Sequence, residues 1–171
     1  MTPPPIQRNH SGNGETLMDI FKNALDLLGQ SENAPAVVSY LQSLGIGQPI
    51  ARPPRDERGT NVEVIAQPQI ELFFTRASEL PQAEHFAKGE LVLASFFIHP
   101  AEPGGAMEGM PLGIDMAWTR AQARARLGEP EWTSKGSLKN DRWLLEGKRV
   151  LLCFTSDEQR IRQVVVSQVF A

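Results

Sequence analysis

The chain has 171 residues and a formal net charge of −3. That length builds one ordinary domain or two small units around a shared core. Hydrophobic residues make up 41% and charged residues 22%, which excludes wholesale disorder, and the acidic balance argues against a dedicated nucleic-acid binder.

The charge is uneven. Residues 1–110 carry 7 Lys+Arg against 13 Asp+Glu, and residues 111–171 carry 10 against 7. Cys153 is the only cysteine, so there is no internal disulfide to imply an oxidising compartment. The N-terminal stretch lacks an apolar signal core. No run approaches the ~20 apolar residues that span a bilayer. The expectation is a cytoplasmic protein with no membrane partner.

Residues 1–14 hold three consecutive prolines followed by Asn and Gly and are predicted to be a disordered tail. Thr16 and Asp19 fit a capping box, and the apolar spacing after them predicts a helix over 16–28. A second helix is predicted over 35–44, with Asn33 as its cap and Pro35 in its first turn. Strands are predicted over 62–66, 70–76 and 90–99 from β-branched, aromatic and aliphatic runs. The segment between the last two is expected to hold a helical turn. A Pro/Gly-rich join at 101–111 divides a first unit, 15–100, from a second, 112–171. In the second unit Thr119 and Gln122 predict a capped helix ending at Gly128. Strands follow over 141–146, 148–155 and 159–170.

The two units are alike. YLQSLGIGQP at 40–49 parallels ARARLGEP at 123–130, and IELFFTR at 70–76 parallels VLLCFTS at 150–156. With a period of two, Ile70, Leu72 and Phe74 share one face, as do Val150, Leu152 and Phe154. Those faces are expected to pack on the helices. Glu71, Phe73, Thr75, Leu151, Cys153 and Thr155 point the other way. This second, mixed face is either a binding surface or one covered by a loop or a second copy.

The repeated order of helix, Leu-Gly turn and strands resembles the β-lactamase-inhibitor-protein-like fold. The second unit is similar to outer-membrane assembly lipoproteins of the SmpA/OmlA type. The matching residues are Leu112-Gly113-Ile114, Leu127-Gly128-Glu129-Pro130 and Asp141-Arg142-Trp143. The whole also resembles small bacterial proteins encoded beside contact-dependent toxins, some of which serve as immunity proteins. The resemblance spans about residues 30–170. It implies an α+β fold of two tandem helix-plus-antiparallel-sheet repeats, helices on one face of the sheet. It also implies protein binding through a sheet face and its edge loops.

Other chemistry finds little footing. His10, His85 and His99 are not spaced as metal ligands, and there is no second cysteine to join them. Cys153 lies mid-strand, where a packed thiol is the better reading than a nucleophile. The glycines at 12–14 and 45–47 do not make a phosphate loop. Arg120, Arg124 and Arg126 read as the solvated side of a helix, with a phosphate-binding stripe as the alternative. Trp143 is expected in the core and Trp132 exposed.

The expectation is therefore a non-enzymatic module without cofactor or metal. Its partner is a protein, such as a toxin or secretion-system component, and the contact residues are expected among Glu71, Phe73, Trp132, Asp141 and Arg142. The alternative is a homo-oligomer that uses the mixed face or an edge strand at 159–170. A third reading is an enzyme with an unfamiliar site.

Overall fold

The computed structural model describes residues 15–102 and 107–171. The reading of 1–14 as a tail lies outside the described residues, as does part of the join.

Helix α1, Leu17–Leu27, opens on the expected capping box. The Asp19 amide donates to Thr16 Oγ1 at 3.2 Å, and the Thr16 amide donates to the Asp19 carboxylate at 3.1 Å. It buries Ile20, Phe21, Ala24 and Leu27. Helix α2, Pro35–Ser43, is capped by Ala34 without a side-chain bond, not by Asn33. The Asn33 side chain instead donates through Nδ2 to Glu90 at 3.1 Å. Tyr40 ties α2 to α1 by donating its hydroxyl to the Ile20 carbonyl at 2.9 Å.

Seven strands follow: β1 Gly59–Glu63, β2 Ile70–Arg76, β3 Leu91–Ile98, β4 Trp132–Thr133, β5 Asn140–Leu145, β6 Lys148–Phe154 and β7 Ile161–Gln168. β1 lies three residues earlier than predicted. Short 3-10 turns at Ala77–Glu79 and Ala83–His85 fill the β2–β3 connection. Helix α3, Arg120–Leu127, precedes β4 and has its own capping box between Thr119 and Gln122.

All seven strands join one antiparallel sheet in the order β1-β2-β3-β7-β6-β5-β4. The class is α+β, mostly sheet. β7 is the central strand of this order, so the expected edge strand at 159–170 is corrected. Both of its sides are taken, by β3 and β6. Beside the start of β3, residues 29–32 pair in the place β7 does not reach. Gly29 and Glu32 donate to the Leu93 and Leu91 carbonyls at 2.7 and 2.8 Å.

One hydrophobic cluster gathers Ile20, Phe21 and Ala24 of α1, Val37 and Leu41 of α2, and Ala123 of α3. Alternate strand residues belong to the same cluster: Ile70, Leu72 and Phe74 of β2, and Val150, Leu152 and Phe154 of β6. The pleat that puts these residues inward turns their neighbours outward. Trp143 is buried in the cluster, and its indole N–H donates to the Gly128 carbonyl at 2.9 Å. This bond pins the turn that ends α3, where Gly128 has φ 84°, a conformation that favours glycine.

Candidate functional site

The residues facing away from the core form cross-strand rows that the register defines. The central row begins at the β1 edge with Glu63, Glu71 and Phe97, paired in turn. It continues through Val165 and Leu151 to Arg142 and Trp132 at the other edge. The row is acidic at one end, apolar in the middle, and basic and aromatic at the other. A second row runs Asn61, Phe73, Ser95, Ser167, Arg149 and Leu144. Facing side chains in such rows lie close enough to form one continuous surface.

At the basic end the Arg142 guanidinium sits 5.4 Å from the centre of the Trp132 ring. Arg142 Nε also donates to Glu131 at 2.9 Å, and Arg149 approaches the same carboxylate oxygen at 3.6 Å. Two arginines share one carboxylate, so a positive charge is left over. Trp132 is 44% exposed and Leu144 57%. At the acidic end Glu71 meets His99 at 3.6 Å, and the His99 ring stacks on Phe97 with centroids 6.5 Å apart. Glu63 is exposed.

Of the residues expected to contact a partner, Glu71, Phe73, Trp132 and Arg142 share this outward face. Phe73 is half-buried, its ring lying against Gly59 of β1. Asp141 does not share the face. It pairs with Leu152 on the core side and is wholly buried, so its assignment as a contact residue is corrected. Arg120 reaches it through Nε and Nη2 at 3.0 and 2.7 Å, Arg124 through Nε and Nη2 at 2.8 and 2.9 Å, and Thr133 through its hydroxyl at 2.9 Å. Burial alone would raise this carboxyl. The bonds from Arg120, Arg124 and Thr133 outweigh it and hold the pKa well below the usual carboxylate range. Arg120 also meets Glu158 at 2.7 Å. The two arginines thus clamp α3 onto β5. This replaces both earlier readings of them, as a solvated stripe and as a phosphate stripe.

The pleat also brings Phe97, Val165, Arg149, Glu131 and His99 to the outward face or its rim, which sequence reasoning did not single out. For Phe97 and Val165 the cause is a bulge in β3 and one in β7. The β2–β3 register skips Ala94 and the β6–β7 register skips Arg162. A bulge reverses the inward–outward alternation, so Leu91 and Leu93 before it and Phe96 and Ile98 after it are all core.

Cys153 is buried, and burial pushes its thiol pKa up. His99 immediately follows β3 and Cys153 lies on β6, with β7 between those strands. Two strand spacings, roughly 10 Å, separate their backbones, and the His99 ring is turned to Gln163 and Glu71 instead, at 3.4 and 3.6 Å. Glu131 is engaged by its two arginines. Among the described residues no cluster of three or more His, Cys, Asp or Glu is arranged to hold a metal ion. No helix among them is long and apolar enough to cross a membrane.

Comparison with known proteins returned no matching family model, curated protein or solved structure.

Proposed function

We propose that this chain is a non-enzymatic protein-binding module that engages its partner through the outward face of the sheet. The observation that carries the reading is the central row. An apolar middle of Phe97, Val165 and Leu151 is flanked by charge and closed by Trp132. A partner gains buried area from the middle and steering and register from the charged ends.

The scaffold behind the face is two tandem helix-plus-sheet repeats with their helices on the other side. The two register shifts support this. They fall at Phe73/Phe74 and Cys153/Phe154, at the same 80-residue offset that aligns the two sequence motifs. In its narrower form the module is an immunity or adaptor protein of a bacterial toxin or secretion system. That form draws on the resemblance of the repeat order and on the acidic balance of the first 110 residues.

Affinity capture from native cells tests the reading, with the full chain, Arg142→Glu and Arg126→Glu as parallel baits. Arg126 is exposed on α3, away from the face. A stoichiometric protein held by the full chain and by Arg126→Glu, but released by Arg142→Glu, is expected. Equal capture by all three, or no stoichiometric protein at all, overturns it.

A further inference from the structure

The central row has a symmetry of its own. Val165 is on β7, the fourth of seven strands. One strand to either side are Phe97 and Leu151; two strands out are Glu71 and Arg142; at the edges are Glu63 and Trp132. The row is therefore complementary to its own reversal. Apolar Phe97 matches apolar Leu151 and acidic Glu71 matches basic Arg142; only the edge pair, Glu63 and Trp132, is unlike in this sense. The second row behaves alike. Phe73 and Leu144 lie two strands either side of Ser167.

We propose that two copies of the chain pack these faces together about a twofold axis running along β7. This rests on the reading of the face as a protein-binding surface and names its occupant in the isolated chain. The twofold operation places β3 of one copy over β6 of the other and β2 over β5. Val165 then meets its own counterpart, Phe97 meets Leu151, Glu71 meets Arg142, Phe73 meets Leu144, and Glu63 approaches Trp132. Such an interface is isologous, so each heterotypic pair occurs twice.

Packed sheets commonly cross at about 30°, which tilts the axis through Val165 by about 15° from β7 and offsets a pair two strands away by roughly 5 Å. The flexible Glu and Arg side chains cover that offset. The charges of Arg149 and His99 are compatible with the arrangement, whereas exposed Arg162, at the bulge of β7 near Cys153, brings like charge to the axis at that end. Arg149 keeps Glu131 as a partner when Arg142 turns toward Glu71. His99 beside Glu71 faces Cys153, a buried neutral thiol. The face measures about 29 Å across seven strands and 17–20 Å along them, so two copies bury on the order of 1,000 Å². That is the low end for a specific interface. Association is expected in the micromolar range.

The test uses the full chain over a concentration series from about 1 to about 300 μM, followed by light scattering and sedimentation velocity. The natural chain is expected to pass from monomer to dimer. Glu71→Arg and Arg142→Glu are each expected to weaken association at least tenfold. Each single variant sets like charges together at both copies of the pair. An equimolar mixture of the two variants is expected to regain the dimer, because both of its pairs then carry opposite charge. A short bis-maleimide should also link Val165→Cys to itself, in a Cys153→Ser background, because that residue sits on the axis. A strictly monomeric natural chain overturns the inference while leaving the heterologous-partner reading to the capture experiment. A dimer indifferent to both substitutions, a mixture no more associated than its components, or a Val165→Cys chain that does not cross-link also overturns it.

Discussion

Trp132 and Arg142 pair across the β4–β5 ladder with the guanidinium 5.4 Å from the indole centre, on the face turned away from the core. A cation over an exposed ring is worth about 0.5–1 kcal/mol, and an exposed ion pair such as Arg142–Glu131 about as little. Trp132→Ala and Arg142→Ala should therefore each lower stability by less than about 1.5 kcal/mol. Each should weaken partner binding by tenfold or more, as loss of an aromatic or arginine anchor does. Thermal melting and titration of the partner read the two effects separately. A collapse of stability would place these side chains in the fold rather than in the interface.

Asp141 behaves in the opposite way. Removing its charge leaves Arg124 without its carboxylate partner and Arg120 with Glu158 alone, and breaking such a buried arrangement costs about 3–5 kcal/mol. Asp141→Asn is expected to destabilise by that amount in denaturant unfolding. Because Arg120 is 12% exposed and Arg124 36%, Arg120→Ala should cost more than Arg124→Ala.

The same carboxylate sets an acid limit. Its folded pKa lies below its ordinary value of 3.8, so the folded state binds the proton less readily than the unfolded chain. The contribution to stability is complete above the unfolded pKa. It is lost as pH falls from there through the folded pKa. Urea unfolding between about pH 5 and pH 2 should show a smaller loss of stability in Asp141→Asn than in the natural chain. Parallel curves for the two would remove Asp141 as the source.

Gly59 is a position of close approach. A Cβ there would meet the Phe74 carbonyl oxygen and lie 2.6 Å from Phe73 Cζ. Gly59→Ala is expected to cost roughly 1–3 kcal/mol through overpacking, and Phe73→Ala in the same chain should recover part of it. No recovery would mean that the backbone contact alone sets the cost.

On β6, Leu152→Ala and Phe154→Ala should each destabilise by about 2–5 kcal/mol, because both side chains are fully buried in the core cluster. Cys153→Ser should cost less, since Cys153 is buried on the outward side and outside that cluster. A greater loss at Cys153 would mean that the inward–outward alternation of β6 is reversed.

Where the chain advertises its structure locally, the sequence was enough. Thr16 with Asp19 and Thr119 with Gln122 mark both capped helices, and the alternation in 70–76 assigns every side chain of β2 to a face. The two-residue β4 escaped notice because Trp132–Thr133 is too short to show a period. β1 was displaced because Gly59–Thr60–Asn61 has little apolar content, its place being set by pairing with Thr75, Phe74 and Phe73. The bulges at Ala94 and Arg162 hid the middle of the outward face. Asp141 was misassigned for a different reason. A charged residue opening a strand ordinarily faces solvent, and only the packing of α3 brings two arginines over it.

Cross-linking in native cells tests the outward face most directly. A photoreactive residue is placed at Leu144, exposed on that face, and in a second chain at Ala125, exposed on α3. Leu144 is expected to yield a discrete protein adduct, identified by mass as a second copy or as another protein, and Ala125 to yield none. Adducts from Ala125 but not from Leu144 would contradict it.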